Sequence, residues 1–232
     1  MTHLPLSDAL SRIGEIQIPL SAPVALSIGA LVFIAMLFPA LWKIANHAET
    51  VVHEAAHAMV GFVAGRSIRR VEINPNGGGS TRMEPQAGFG YGVAAFAGYV
   101  GPSAAGLFAA WLISIGRIVA VLWFGGLLLA VMVLMVRNFF GGIVILACGA
   151  LLYLILRYTT AVVETAAAYA GTWFLLLSGP KDALRVAKKP KDVGDAKILA
   201  GMTPLWPSAW CFLWVVGTIA ALVAGGAILL RP

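Results

Sequence analysis

The sequence has few charged residues and almost no cysteine. Only 11% of its 232 residues are Asp, Glu, Lys or Arg, whereas a soluble domain carries about 25%. Hydrophobic residues make up 60%, which excludes intrinsic disorder because disordered chains are polar and highly charged. The two cysteines, Cys148 and Cys211, lie inside apolar runs, so a disulfide-stabilised scaffold is excluded as well. The composition therefore predicts an integral membrane protein.

Seven apolar segments follow one another along the chain. They cover residues 22–42, 46–64, 89–113, 118–136, 139–156, 159–178 and 206–230. Each approaches the length of about 20 residues that a helix needs to cross a bilayer, and the polar second segment must be enclosed by other helices. The first segment lacks a cleavage signal, so we expect it to be retained. We predict an all-α polytopic membrane protein with six to seven transmembrane helices, forming a single domain over residues 1–232.

The basic residues are distributed unevenly between the connections. If seven segments alternate, 12 of the 16 Lys and Arg residues fall on one side, together with residues 1–21, 65–88 and 179–205. Basic connections stay in the cytoplasm, which predicts a cytoplasmic N-terminal segment, a cytoplasmic 179–205 loop and an external C-terminus. The formal charge of +6 is therefore interpreted as a topology signal in the lipid bilayer and not as a nucleic-acid-binding feature.

The second segment contains the sequence HEAAH at residues 53–57. Helix positions four apart share a face, so His53 and His57 can bind one zinc ion, and Glu54 can reach a zinc-bound water as general base. Ionisable residues inside a membrane are costly and usually functional, which makes a purely structural polar cluster the weaker alternative. Glu49, one turn before His53, either orients its ring or lies at the membrane interface.

With this motif, the chain resembles the site-2 protease family of intramembrane zinc metallopeptidases, in a compact bacterial form without accessory domains. The resemblance implies a zinc cofactor, peptide hydrolysis in or beside the bilayer, and a single-span membrane protein as substrate. It rests on the zinc motif in residues 50–57, Gly65-Arg66, the glycine-rich stretch 74–82, residues 97–103, residues 137–141 and residues 194–203.

Residues 68–83 predict a short membrane-associated β-hairpin. Two alternating stretches flank an Asn/Pro/Gly cluster, which is a strong turn signal. The resemblance implies that this hairpin lies near the zinc and pairs with an unwound substrate by strand addition. Gly77, Gly78 and Gly79 are accordingly assigned to substrate binding, with an ordinary cytoplasmic loop as the alternative.

The third zinc ligand departs from the family pattern. Site-2 proteases supply an aspartate from an Asp-Gly sequence in a later segment, whereas residues 137–141 here contain no acid. A catalytic zinc has three protein ligands, so another residue must serve. Asp195 is favoured because it is anionic and lies in a cytoplasmic loop, although that loop must reach about 10 Å inward. The other candidates are Asn138, Glu164, Asp182 and Asp192, of which Asn138 is instead expected to bind the substrate backbone.

These features predict an intramembrane zinc metalloprotease with Glu54 as general base and His53, His57 and Asp195 as metal ligands. One alternative is a catalytically silent scaffold that binds transmembrane helices, which the missing Asp-Gly sequence favours and the intact Glu54 opposes. A metal transporter is a second alternative, but a fixed H-E-x-x-H suits water activation better than metal release.

Overall fold

The computed structural model describes residues 12–231. In this part of the chain eight α-helices accompany one two-stranded antiparallel sheet. The mostly helical architecture with a hairpin confirms the predicted fold class. The helices are α1 (Ala22–Leu37), α2 (Pro39–Val63), α3 (Phe89–Ser114), α4 (Ile118–Met135), α5 (Phe139–Tyr158), α6 (Ala161–Ala187), α7 (Gly194–Met202) and α8 (Pro207–Leu229), and the strands are β1 (Ser67–Ile73) and β2 (Gly79–Glu84).

Helices α3, α4, α5, α6 and α8 are each long and apolar enough to cross a membrane. Helices α1 and α2 meet this criterion only as a pair, which is bent by 107°. The break falls at Phe38, whose backbone is extended; helical geometry is disfavoured for a residue that precedes proline. The described residues thus provide five spans, or six if the bent pair is one span. Separate crossings for segments 22–42 and 46–64 are not supported.

Both ends of the described chain lie at the same end of the helical bundle. Arg12 forms an ion pair with Glu164 in the first turn of α6, and the Leu20 N–H donates to the Tyr169 hydroxyl. Arg231 lines a small cavity there together with residues of α3 and α6. The hairpin end, defined by the hairpin, residues 136–138 and residues 188–206, is the opposite one. The predicted placement of residues 12–21 on the hairpin side is therefore wrong, because α1 and α2 form one bent path. The rest of the predicted N-terminal segment, residues 1–11, lies outside the described residues.

The hairpin forms where the sequence predicts it. Ser67 pairs with Glu84 and Ile73 pairs with Gly79 across the two strands. Gly77, in the turn, has a φ of +82°, a conformation that suits glycine because it has no side chain. Val71 is fully buried in an apolar cluster with residues of α2 and α4, so one hairpin face is anchored on the helices.

The 179–205 connection is more helical than predicted. Helix α6 continues through Pro180 to Ala187, and α7 follows after one short turn. Three of the charged residues in this stretch have partners within the fold: Arg185 forms an ion pair with Asp182, and the Lys181 ammonium donates to the Met36 carbonyl. These contacts offset part of the cost of burying charged side chains on a helix that packs against others.

Candidate metal centre

Four polar residues of α2 are buried in the interior of the bundle: Glu49, Thr50, Glu54 and His57. Glu54 and His57 are only 3% and 5% exposed, although most of their helix is apolar. The Nε2 atoms of His53 and His57 lie 3.1 Å apart, as expected for residues one helical turn apart. The predicted shared face of the two histidines is thus present.

Asp195 reaches the two histidines from α7. Its Oδ2 atom lies 3.5 Å from His57 Nε2 and 3.9 Å from His53 Nε2. Helix α7 is drawn against the bundle by Ala196 and Leu199, which are buried in a cluster with residues of α3 and α8. Burial disfavours the charged carboxylate, but contact with His57 and the nearby His53 lowers the pKa of Asp195 below its ordinary value. Packing of the apolar face of α7 against the bundle therefore explains how Asp195 reaches the two histidines.

The spacing of these three atoms fits a zinc ion. Zinc bonds of 2.0–2.1 Å in tetrahedral geometry place neighbouring ligand atoms about 3.3 Å apart. The observed separations are 3.1, 3.5 and 3.9 Å, and the ligand atoms of His53, His57 and Asp195 all lie within 4.8 Å of one another. The other ring nitrogen of His57, Nδ1, lies 2.7 Å from the Ala94 carbonyl oxygen, the kind of contact that orients a metal-binding imidazole.

Glycines of α3 allow that helix to approach the histidines closely. A Cβ atom on Gly98 would lie 2.2 Å from His57 Nε2 and 2.7 Å from His53 Nε2. A Cβ on Gly101 would lie 2.3 Å from the Cβ of Ala56. Small residues are therefore required where α3 crosses α2.

The hairpin forms one wall of the cavity that contains Glu54. The Thr81 hydroxyl donates to Glu54 Oε2 at 2.7 Å, and a Cβ on Gly79 would lie 2.5 Å from Glu54 Oε1. The Gly77 carbonyl accepts a hydrogen bond from Asn46 of α2 at 2.7 Å, which fixes the turn. The cavity has a volume of about 370 Å³, and Gly77, Gly78 and Gly79 all line it.

The remaining candidate residues lie elsewhere. Asn138 does not line the cavity: its side-chain amide donates to the Ile73 carbonyl at 2.7 Å and accepts from the Ile73 N–H at 3.1 Å. Glu164 is fully buried in its ion pair with Arg12 at the opposite end of the bundle. Asp192 is exposed and belongs to neither group of possible metal ligands among the described residues.

A second set of polar residues borders the site, and most of it was not predicted. Glu49, His53 and Asp182 place ligand atoms within 4.8 Å of one another. Glu49 is 2% exposed, which excludes its predicted alternative position at the membrane interface. The i, i+3 spacing of Asp182 and Arg185 is a helical signal, but it falls in a stretch interpreted as a loop. No local signal indicated the contact of Thr81 with Glu54, because it joins a strand to a distant helix.

The fold and the site together define a class: a multi-pass helical membrane protein with an H-E-x-x-H helix and a His-His-Asp group that can hold a metal ion. The chain belongs to the Peptidase M50B-like family, whose model matches residues 26–225. This is a metallopeptidase family related to the site-2 proteases and typically zinc-dependent, so the resemblance seen in the sequence is confirmed. No curated protein and no solved structure matches the chain.

Proposed function

We propose that the protein is an intramembrane zinc endopeptidase that hydrolyses peptide bonds of single-span membrane proteins. The main support is the group formed by His53, His57 and Asp195, whose ligand atoms lie within 3.9 Å of one another beside the Glu54 carboxylate. Three protein ligands and one open position are typical of catalytic zinc and not of structural zinc.

Each residue of the site has a distinct role in this proposal. When bound, zinc supplies Lewis-acid polarisation of a water molecule and of the scissile carbonyl. Glu54 accepts the proton of the attacking water and later donates it to the leaving amine. The hydrogen bond from Thr81 to Glu54 Oε2 holds the carboxylate in one orientation and leaves Oε1 beside Gly79.

The outer edge of β2 is the proposed binding surface for the substrate backbone. The far edge of β1 is already covered, since Val71 pairs with Val136 and the Arg137 N–H donates to the Val71 carbonyl. Strand β2 has no second strand partner in the described sheet, and Gly79, Ser80 and Thr81 line the cavity. A helical substrate must first unwind, because its carbonyls are occupied by intrahelical hydrogen bonds. Adding the unwound segment to β2 would satisfy those groups.

Asn138 is proposed to act on the substrate through the hairpin. Its amide holds both backbone groups of Ile73, the last residue of β1, and Ile73 pairs with Gly79 at the start of β2. This side chain therefore fixes the distance between the β2 edge and the metal centre, and it is a positioning residue in this proposal.

Comparing wild type with Glu54→Gln tests the function directly. Membrane fractions of cells that carry each form would be compared for shortened single-span proteins and new peptide termini, and zinc would be counted in each purified protein. We expect substrates to accumulate with Glu54→Gln while bound zinc is unchanged. Zinc-free wild type with no cleavage products would instead indicate the silent scaffold. Glu15→Gln is the matched control, because Glu15 is an exposed residue that pairs with Arg12 at the opposite end of the bundle.

A further inference from the structure

A second group of possible metal ligands shares His53 with the first. Its other members are Glu49, one helical turn earlier on α2, and Asp182 from α6. The ligand atoms of these three residues lie within 4.8 Å of one another, while His53 Nε2 also faces His57 and Asp195. The three residues line the same cavity, on the side of α6.

Glu49 is 2% exposed, and its side chain lines the cavity without a hydrogen bond or ion pair to any described residue. Asp182 differs, since its two oxygens accept from Arg185 at 2.9 and 3.0 Å. A buried carboxyl group without a partner is stable only when it is protonated or bound to a cation. A buried charge is costly unless it is paired or bound to a metal ion.

We propose that Glu49, Asp182 and His53 form a second, weaker site for a divalent cation. Carboxylate oxygens with an imidazole nitrogen suit Zn²⁺ or Mn²⁺ better than soft metals. The site is weaker than the first because His53 can bind a second cation through its other ring nitrogen only after the N–H proton there is released to solvent. A cation there also draws electron density from His53, so excess zinc inhibits the peptidase. Only this inhibitory effect rests on the proposed function; the second site itself does not.

Counting zinc at controlled free concentration tests the proposal. The full chain in detergent micelles would be dialysed to equilibrium against graded free Zn²⁺, and zinc per chain would be measured by mass spectrometry. We expect two successive steps for wild type and for the control Glu15→Gln, which changes an exposed residue at the opposite end of the bundle. Glu49→Gln and Asp182→Asn should each show one step, with less than a tenfold change in the tighter affinity. Asp195→Asn should weaken the tighter step and leave the weaker one.

The outcomes separate a second site from other roles of Glu49. Saturation of wild type at one zinc per chain would overturn the proposal. If Glu49→Gln then also lowered the single affinity by about 10–100-fold, Glu49 would be a residue that orients His53. Two steps retained in both Glu49→Gln and Asp182→Asn would place the second ion elsewhere and overturn it too. Two steps in wild type without any cleavage would contradict the proposed function but not the second site.

Discussion

An alanine at position 98 is expected to disrupt the candidate metal centre more than any other single methyl group added to α3. The new Cβ would lie 2.2 Å from His57 Nε2, 2.4 Å from His57 Cε1 and 2.7 Å from His53 Nε2. Ordinary van der Waals contact begins at 3.4 Å, so the closest approach is about 1.2 Å too short. Either both imidazoles rotate, or α3 moves away from α2.

Both responses damage the metal centre. Movement of α3 loosens the contact of His57 Nδ1 with the Ala94 carbonyl, which belongs to the same helix. Rotation of the rings displaces zinc ligands by much more than the ±0.2 Å that a functional site tolerates. Overpacking of this kind costs about 1–3 kcal/mol in stability. We expect zinc affinity to fall by at least about 100-fold, equivalent to about 2.7 kcal/mol.

Competition with a zinc chelator would measure this effect on purified protein in detergent. Gly149→Ala is the matched control, since a Cβ there meets no atom within 4 Å, and its zinc affinity should equal that of wild type. Gly101→Ala separates the two mechanisms. It forces α3 from α2 through Ala56 without touching the rings, so a smaller loss of zinc is expected. Wild-type zinc affinity and cleavage in Gly98→Ala would show that α3 does not pack over the histidines, and the proposed site would be wrong.

Further substitutions and one fusion experiment test the remaining roles. Glu54→Gln removes the base but no metal ligand, so cleavage should fall by at least about 100-fold with zinc retained, whereas His57→Ala should lose both. Asp195→Ala should weaken zinc binding by more than about 100-fold. Removing a residue that only orients a metal ligand typically costs about 10–100-fold. Asn138→Ala should lower cleavage and leave zinc in place. For each variant, chelator titration measures zinc affinity and a separate assay measures cleavage, so loss of zinc is distinguished from loss of activity. Reporters fused at the N-terminus and after Arg231 should report the same side of the membrane; opposite sides would contradict the six-span arrangement.

The parts of the site that could be predicted from the sequence depend on short-range spacing. The shared face of His53 and His57 follows from helical geometry alone, and the hairpin follows from alternation around a glycine-rich turn. Asp195 was favoured for its charge and its side of the membrane. Its depth was not predictable, because it depends on Ala196 and Leu199 packing in a cluster formed by distant helices.

The features that were missed have two different causes. The bond between Thr81 and Glu54 joins residues 27 positions apart, and neither residue carries a local signal for it. The break between α1 and α2 was visible in the sequence, since Pro39 lies inside the first predicted segment. A proline inside an apolar helical pattern ends or kinks the helix at the preceding residue, and applying that rule places the break at Phe38.

The bend between α1 and α2 also explains why the charge count does not distinguish six spans from seven. Joining the two segments into one bent crossing moves only Arg12 to the other side and leaves Lys43 near the bend. Four basic residues then lie at the end opposite the hairpin: Arg12, Arg117, Arg157 and Arg231. Eleven of the 16 remain at the hairpin end: Arg66, Arg69, Arg70, Arg82, Arg137, Lys181, Arg185, Lys188, Lys189, Lys191 and Lys197. The bias is almost unchanged because the stretch that changes side, before α1, contains a single basic residue, Arg12. We therefore propose that the hairpin end faces the cytoplasm and that residues 12–20 and Arg231 face outward.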